Sequence, residues 1–242
     1  MKNWITKANS HLRNEVIMFE KMTFQNQEEK DDFEKYRRLK GDDLYYQIYR
    51  ILLEKTDRVR YVTVRAYIRY DKNLRDMLYV YLATLEEYCK AQLLNSFDVR
   101  IPKKYKGHCY KPLLEEIIEK ESDISTLYYG FEPDFGDLMH ICQTKEVYEI
   151  NVDDQKDIKD LRNKTMHHSL LLFGNAKNEK ELYDHFTTLE KRLNAFAAAL
   201  PQEYRKGFLS DVEKLNRNSI HKTKHLSKFC LEVQDGRICV KK

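Results

Sequence analysis

The chain has 242 residues, 34% of them charged, and its 43 Lys and Arg against 39 Asp and Glu leave a formal net charge of +4. Its 7 Gly and 4 Pro fall far below the roughly 12% of Gly plus Pro usual in globular chains, which excludes collagen-like, linker-rich and turn-dense all-β architectures. With 42% hydrophobic and 12% aromatic residues the chain can build a core, so disorder is excluded and a mostly α fold is expected.

From the N-terminus, charges interrupt every apolar stretch, and no run reaches the roughly 18 apolar residues of a membrane span. A cytoplasmic protein with no membrane partner is expected. Helices are expected within 1–70. Asp42 and Asp43 precede Leu44, Ile48, Ile51 and Leu52 at helical spacing, which predicts a helix with acids in its first turn. From Thr56 a long stretch without Gly or Pro predicts helix, with a break expected near Asp71, Lys72 and Asn73. Its second part, Leu74 to Asn95, carries the stripe Leu78, Leu82, Leu85, Cys89 and Leu93.

Residues 98–112 read as a loop around Lys103, Lys104, Tyr105 and Lys106, and Pro112 opens a short helix. Asp134 is positioned to cap a helix from Phe135. Asp153 and Asp154 are positioned to cap one from Gln155 to Phe173 that stops at Gly174. Two more helices follow, Asn178 to Leu200 before Pro201 and Gln202 to about Ile220. The alternation around Asp235-Gly236 predicts a C-terminal β-hairpin. No repeat or linker divides the chain, so 1–242 is expected to be a single helical domain.

Basic clusters lie at Lys35, Arg37, Arg38 and Lys40, at Arg58, Arg60, Arg65 and Arg69, at Lys103, Lys104 and Lys106, and from His221 to Lys228. Several interleave with tyrosines. Such mixtures stack bases and hold phosphates; the 17 tyrosines equally suit amphipathic cover over a helical core. The five cysteines are scattered without a CxxC pair, so reduced thiols are expected rather than disulfides or zinc. His108-Cys109 and His140-x-Cys142 belong to no four-ligand set, and no metal or other cofactor is expected. Phosphate-loop, dinucleotide-binding and serine-hydrolase motifs are absent from the sequence.

The segment Leu161 to His168 concentrates chemistry. On a helix, Asn163 and His167 share a face, so the amide can orient the imidazole. Arg162, five residues before His167, is offset by about 140°, so its side chain must curl round or act on a site shared with another helix. Leu161, Met166, Leu170 and Leu171 are expected on the buried side of this helix. His168, turned about 100° from His167, suits packing or RNA contact. Arg217 to His221 superficially repeats the pattern at a helix end beside a basic tail, and reads as an RNA-contacting or solvated patch.

Arg162-Asn163, three residues, then His167-His168 resembles the Arg-to-His signature of the HEPN superfamily, in the form found in its Abi-type (abortive infection) branch. Leu85-Glu86 followed by Lys90 is similar to that branch's aliphatic-Glu-basic element, with Lys90 where Arg is usual. Phe135-Gly136-Asp137-Leu138 is similar to its Phe-Gly-x-Leu helix start. The resemblance covers roughly residues 74–175. It implies a HEPN-like helical bundle with its core over about 74–200, elaborated by N-terminal helices over 1–70 and by a helix and hairpin over 201–242.

It also implies a metal-independent endoribonuclease, an antiphage or toxin-type effector similar to the HEPN domains of RNA-targeting CRISPR effectors. Two copies would form one composite cleft in a homodimer. His167 would move protons, since an unperturbed imidazole has a pKa of about 6.5. Arg162 would stabilise the phosphorane-like charge. Asn163, His168 and Glu86 are supporting candidates, Glu86 as an anchor for Arg162, and Lys90, Lys164, Lys103 and Lys104 are RNA-binding candidates. A guide or antitoxin RNA is a further candidate partner. The alternatives are a catalytically silent HEPN module binding RNA or a protein partner, and a helical scaffold.

Overall fold

The computed structural model describes residues 18–96, 135–144, 146–148, 150–218 and 228–241. The loop expected over 98–112, the short helix after it, the Asp134 cap and His221 lie outside them, as do Lys103, Lys104, Cys109 and the side chain of Arg217. The fold is mostly α, with seven helices among the described residues. In chain order the elements are β1 (Met22–Thr23), α1 (Gln27–Lys40), α2 (Asp42–Leu53), β2 (Val59–Arg60), α3 (Tyr61–Ser96), α4 (Phe135–Thr144), α5 (Val152–Met166), α6 (Glu179–Ala199), α7 (Gln202–Asn218), β3 (Cys230–Gln234) and β4 (Arg237–Lys241). None of these helices is long and apolar enough to cross a membrane.

The described residues fall into two compact units, each discontinuous in sequence. Unit 1 comprises the described parts of Met1–Arg75, Ser169–Glu190 and Val212–Lys242; unit 2 comprises those of Asp76–His168 and Lys191–Asp211. Both cross the boundaries expected from the sequence, because α3, α6 and α7 each give one part of their length to each unit.

Unit 1 is built on aromatic rings. α1 starts at Asn26, whose side chain accepts from the Glu29 N–H at 2.9 Å, while the Glu29 carboxylate accepts from the Gln25 N–H at 2.8 Å. This exchange satisfies amides that the first turn leaves open. It places Phe33 inward, with Tyr61 at 5.4 Å, Tyr45 at 5.6 Å and Phe19 at 5.2 Å between ring centroids. Such pairs contribute about 0.5–1.5 kcal/mol each beyond the area they bury. A second group joins Tyr67, Phe173, Phe186 and Phe229. Tyr45, Tyr49, Tyr61, Tyr67 and Tyr70 are all buried, so these tyrosines are core. Three of their hydroxyls serve backbone: Tyr49 accepts from the Lys21 N–H at 3.0 Å, Tyr67 donates to the Lys228 carbonyl at 3.0 Å, and Tyr70 accepts from the Leu231 N–H at 2.8 Å.

The short parallel pair of β1 and β2, with Met22 opposite Val59, has no counterpart in the sequence expectations. The antiparallel hairpin of β3 and β4 is as expected, and its turn residues Asp235 (φ 50°) and Gly236 (φ 74°) both have positive φ, the geometry that matches strand twist in a two-residue connection.

Unit 2 is helical. The Leu78, Leu82, Leu85, Cys89 and Leu93 stripe of α3 is buried as expected, and Leu138, Ile141, Ile158, Leu161, Leu193, Phe196 and Phe208 join its core. Tyr81 meets Phe208 at 5.1 Å and its hydroxyl donates to Asp211 at 2.8 Å.

The break expected at Asp71 to Asn73 does not occur, since α3 runs unbroken from Tyr61 to Ser96. Asp71 is fully buried, and its carboxylate is turned away from its own helix backbone. One oxygen accepts from the Leu171 and Leu172 N–H groups at 2.7 and 2.8 Å, and the other pairs with Arg75 Nε at 3.0 Å. An Asp stops a helix when its carboxylate competes for local amides; here that capacity is spent elsewhere.

Candidate functional site

α5 begins one turn earlier than expected. Its cap is Asn151, whose side chain accepts from the Asp153 N–H at 3.0 Å, so Asp153 and Asp154 occupy the first turn and favour the positive end of the helix dipole there. Ile158, Leu161 and Thr165 form the buried side, with Thr165 Oγ1 donating to the Leu161 carbonyl at 2.9 Å. Arg162, Asn163, Lys164 and Met166 are half-buried.

The helix also ends earlier, at Met166 rather than Phe173. The His167 N–H still donates to the Asn163 carbonyl at 2.9 Å, so Asn163 and His167 do share a helix face. His168 then takes a left-handed φ of 54° and its N–H donates to the Thr165 carbonyl at 3.2 Å. This is a left-handed helix termination, on a residue type that adopts it more readily than most. Leu170 and Leu171 are buried, though not on this helix.

The reason lies in four consecutive apolar residues. Leu170, Leu171, Leu172 and Phe173 are all buried, and a helix would turn them through more than half a circle. In the irregular segment they occupy, Asp71 takes two of the freed amides, and His185 Nε2 stands 2.7 Å from the Leu171 carbonyl. Burial pushes the Asp71 carboxyl above its usual range, opposed by the amides and Arg75. Gly174 closes the segment at φ 53°, where an added Cβ would stand 2.6 Å from His185 Cε1. The sequence carried a signal for Asp71: it lies three residues before Leu74 and seven before Leu78, on the same core-facing stripe.

His167 and His168 are exposed. The Nε of Arg162 is buried with no hydrogen-bond partner. Glu86 pairs with Lys90 at 2.9 Å along its own helix, so its carboxylate is engaged there and not with Arg162. Lys164 is pushed below the usual lysine range by burial and by the Arg192 charge, which Asp160 opposes. Arg192 pairs with Asp160 at 2.8 Å and reaches Asp157 at 3.7 Å, and Lys191 also holds Asp157, at 2.8 Å. These ties between α5 and α6 fix the helix that carries Arg162, and the sequence expectations missed all four residues.

The Phe-Gly-Asp-Leu start of α4 has a packing reason. Phe135 and Leu138 are buried, and a Cβ on Gly136 would stand 2.6 Å from Lys159 Nζ, so Gly136 leaves room for a side chain of α5. Cys89 and Cys142 are buried neighbours, with Cys142 Sγ donating to the Cys89 carbonyl at 3.6 Å, and the four described cysteines are free thiols. Among the described residues, no group of three or more His, Cys, Asp or Glu is placed to hold a metal.

The helix end thus offers a guanidinium with uncommitted capacity and two exposed imidazoles within seven residues, a set able to bind phosphate and exchange protons. Comparison of the chain with protein-family models, with curated proteins and with solved structures gives no match.

Proposed function

We propose that the chain is a metal-independent endoribonuclease of the HEPN type, with Arg162 and His167 as its active pair. The observation that carries the reading is the state of these two side chains. Arg162 keeps a buried Nε without a partner, and His167 is exposed at the helix end, so neither is consumed by the fold. The three short resemblances of the sequence support it.

In the proposed reaction the 2′-hydroxyl of RNA attacks the adjacent phosphorus. Its proton leaves to a base, the bond to the 5′-oxygen breaks, and that oxygen takes up a proton. The products are a 2′,3′-cyclic phosphate and a 5′-hydroxyl. His167 serves the proton transfers, and the Arg162 fork holds the charge gathered on the non-bridging oxygens. Arg162 and His167 lie about 7.5 Å apart along the helix axis, a separation that suits a site completed by the same helix end of a second copy. A homodimer in the cytoplasm, acting as an antiphage or toxin-type effector, is the setting this reading implies.

The test is incubation of parent and His167→Ala protein with total RNA in EDTA, followed by analysis of fragment ends. Cleavage by the parent is expected, with His167→Ala reduced at least 100-fold at unchanged thermal stability, the usual scale of lost acid-base catalysis. Equal cleavage by both would remove His167 from the mechanism. A second reading, an RNA-binding module without catalysis, is favoured by the absence of a hydrogen bond from the Asn163 amide to the His167 ring. It predicts steeply salt-dependent RNA binding with no fragments.

A further inference from the structure

Unit 1 gathers positive charge on a face that the proposed cleavage chemistry does not use. Arg69, Lys72 and Arg75 recur every three residues along α3, following one side of the helix at about 4.5 Å of rise per step. Lys40 ends α1, its ammonium 5.7 Å from the centre of the Tyr36 ring, and Lys35 approaches the same ring at 5.6 Å. Partial desolvation, together with the positive charges of Arg69, Lys72 and Arg75, depresses the Lys40 ammonium below the usual lysine range, so those three cations stand near enough to Lys40 to repel it. Lys40, Arg69 and Lys72 are exposed, and Arg75 is half-buried.

Acids stand beside these cations. Asp71 is buried and divided between Arg75 and two backbone amides, and Asp76 stands four residues beyond Lys72 on α3. Like charges at helical spacing destabilise an isolated fold, and a bound polyanion relieves that cost.

We infer that the face formed by Lys40, Arg69, Lys72 and Arg75 is a docking surface for the sugar-phosphate backbone of single-stranded RNA, with the Tyr36 ring beside it as a base-stacking platform. Arg69 presents an exposed planar fork and Lys40 and Lys72 exposed ammonium groups, suited to the phosphates of an extended strand, while Arg75, held by Asp71 through Nε, adds positive charge behind them. Cations flanking an aromatic ring are the recurrent make-up of single-strand grooves. An anionic membrane is the less favoured partner. Leu39 is the only large apolar side chain exposed in unit 1 among the described residues, whereas surface-lying helices insert a whole apolar face. The inference rests on RNA being the ligand of the proposed nuclease and adds a surface that holds RNA without taking part in the chemistry.

The test uses the full chain carrying His167→Ala, so that the probe stays intact. Binding of a fluorescein-labelled 20-nucleotide oligouridine is followed by anisotropy from 50 to 200 mM salt, with and without Lys40→Glu and Arg69→Glu together. Lys40→Gln with Arg69→Gln is the second variant should charge reversal impair folding. The expected result is at least tenfold weaker binding for either double variant, with the neutral pair lowering the salt slope by about 1.4. Undiminished binding by both variants, or no oligouridine binding by the chain, overturns the inference. So does charge-dependent binding to phosphatidylserine vesicles in place of RNA. A parent that binds RNA through this face but cuts none leaves the docking surface standing and removes the nuclease. A parent that cuts RNA while the variants bind undiminished does the reverse.

Discussion

α3 carries two acid-base pairs of identical spacing, one in each unit, and they have almost nothing else in common. Asp71 and Arg75 meet at 3.0 Å with side chains 0% and 15% exposed, whereas Glu86 and Lys90 meet at 2.9 Å with side chains 30% and 33% exposed. The first acid also fastens a loop a hundred residues away in the chain; the second holds only its neighbour one turn on. In the sequence the pairs are indistinguishable by spacing, and the difference is water. A half-exposed pair is screened and contributes a few tenths of a kcal/mol. A buried carboxylate must be fully paired or it becomes a liability.

Removing each acid in turn tests that contrast. Asp71→Ala is expected to cost about 3–5 kcal/mol, because it strands Arg75 and two buried amides at once. Urea unfolding with an unchanged slope reads the loss as a shift of midpoint, and a cost below 1 kcal/mol would dissolve the contrast. Asp71→Asn, which keeps an acceptor oxygen but no charge, should fall between that variant and the parent. Gly174→Ala acts at the far end of the same loop and is expected to cost about 1–3 kcal/mol from the left-handed backbone and the contact with His185. If it is silent, the loop yields more easily than its anchors suggest. Glu86→Ala is expected to change stability by only about 0.3–0.5 kcal/mol, and raising salt to 1 M should shrink that further. A loss as large as that of Asp71→Ala would mean that Glu86 holds something other than Lys90.

Local chemistry made much of the fold legible. The acids of Asp42 and Asp43, the stop at Pro201 and the Asp235-Gly236 turn each act within a few residues, and α2, α6 and the hairpin follow them. The errors share one cause. Where α3 continues through Asp71 and where α5 ends at Met166, the deciding hydrogen bonds join residues 71 and 171–172, and periodicity records which residues are buried without recording who supplies their amides. α1 lacks a strong apolar stripe, with Phe33 its buried residue, so its aromatic partners were invisible locally. At the candidate site, the sequence placed Asn163 and His167 correctly on one face. Of the two roles open to Glu86, anchor for Arg162 or ordinary surface carboxylate, its pairing with Lys90 at helical spacing fits the second.

The hydrogen bonds from Tyr67 to Lys228 and from Leu231 to Tyr70 each span 161 residues, which sets an order of events during synthesis. Unit 2 has all of its chain once Asp211 has emerged, while unit 1 must wait for Val240, whose N–H closes on Glu190 at 2.6 Å. At about 5–20 residues per second that interval is a few seconds, during which Phe173 and Phe186 lack the ring of Phe229. The nascent chain therefore passes through a stage in which every residue of unit 2, Arg162 and His167 among them, has emerged while the hairpin that completes unit 1 has not.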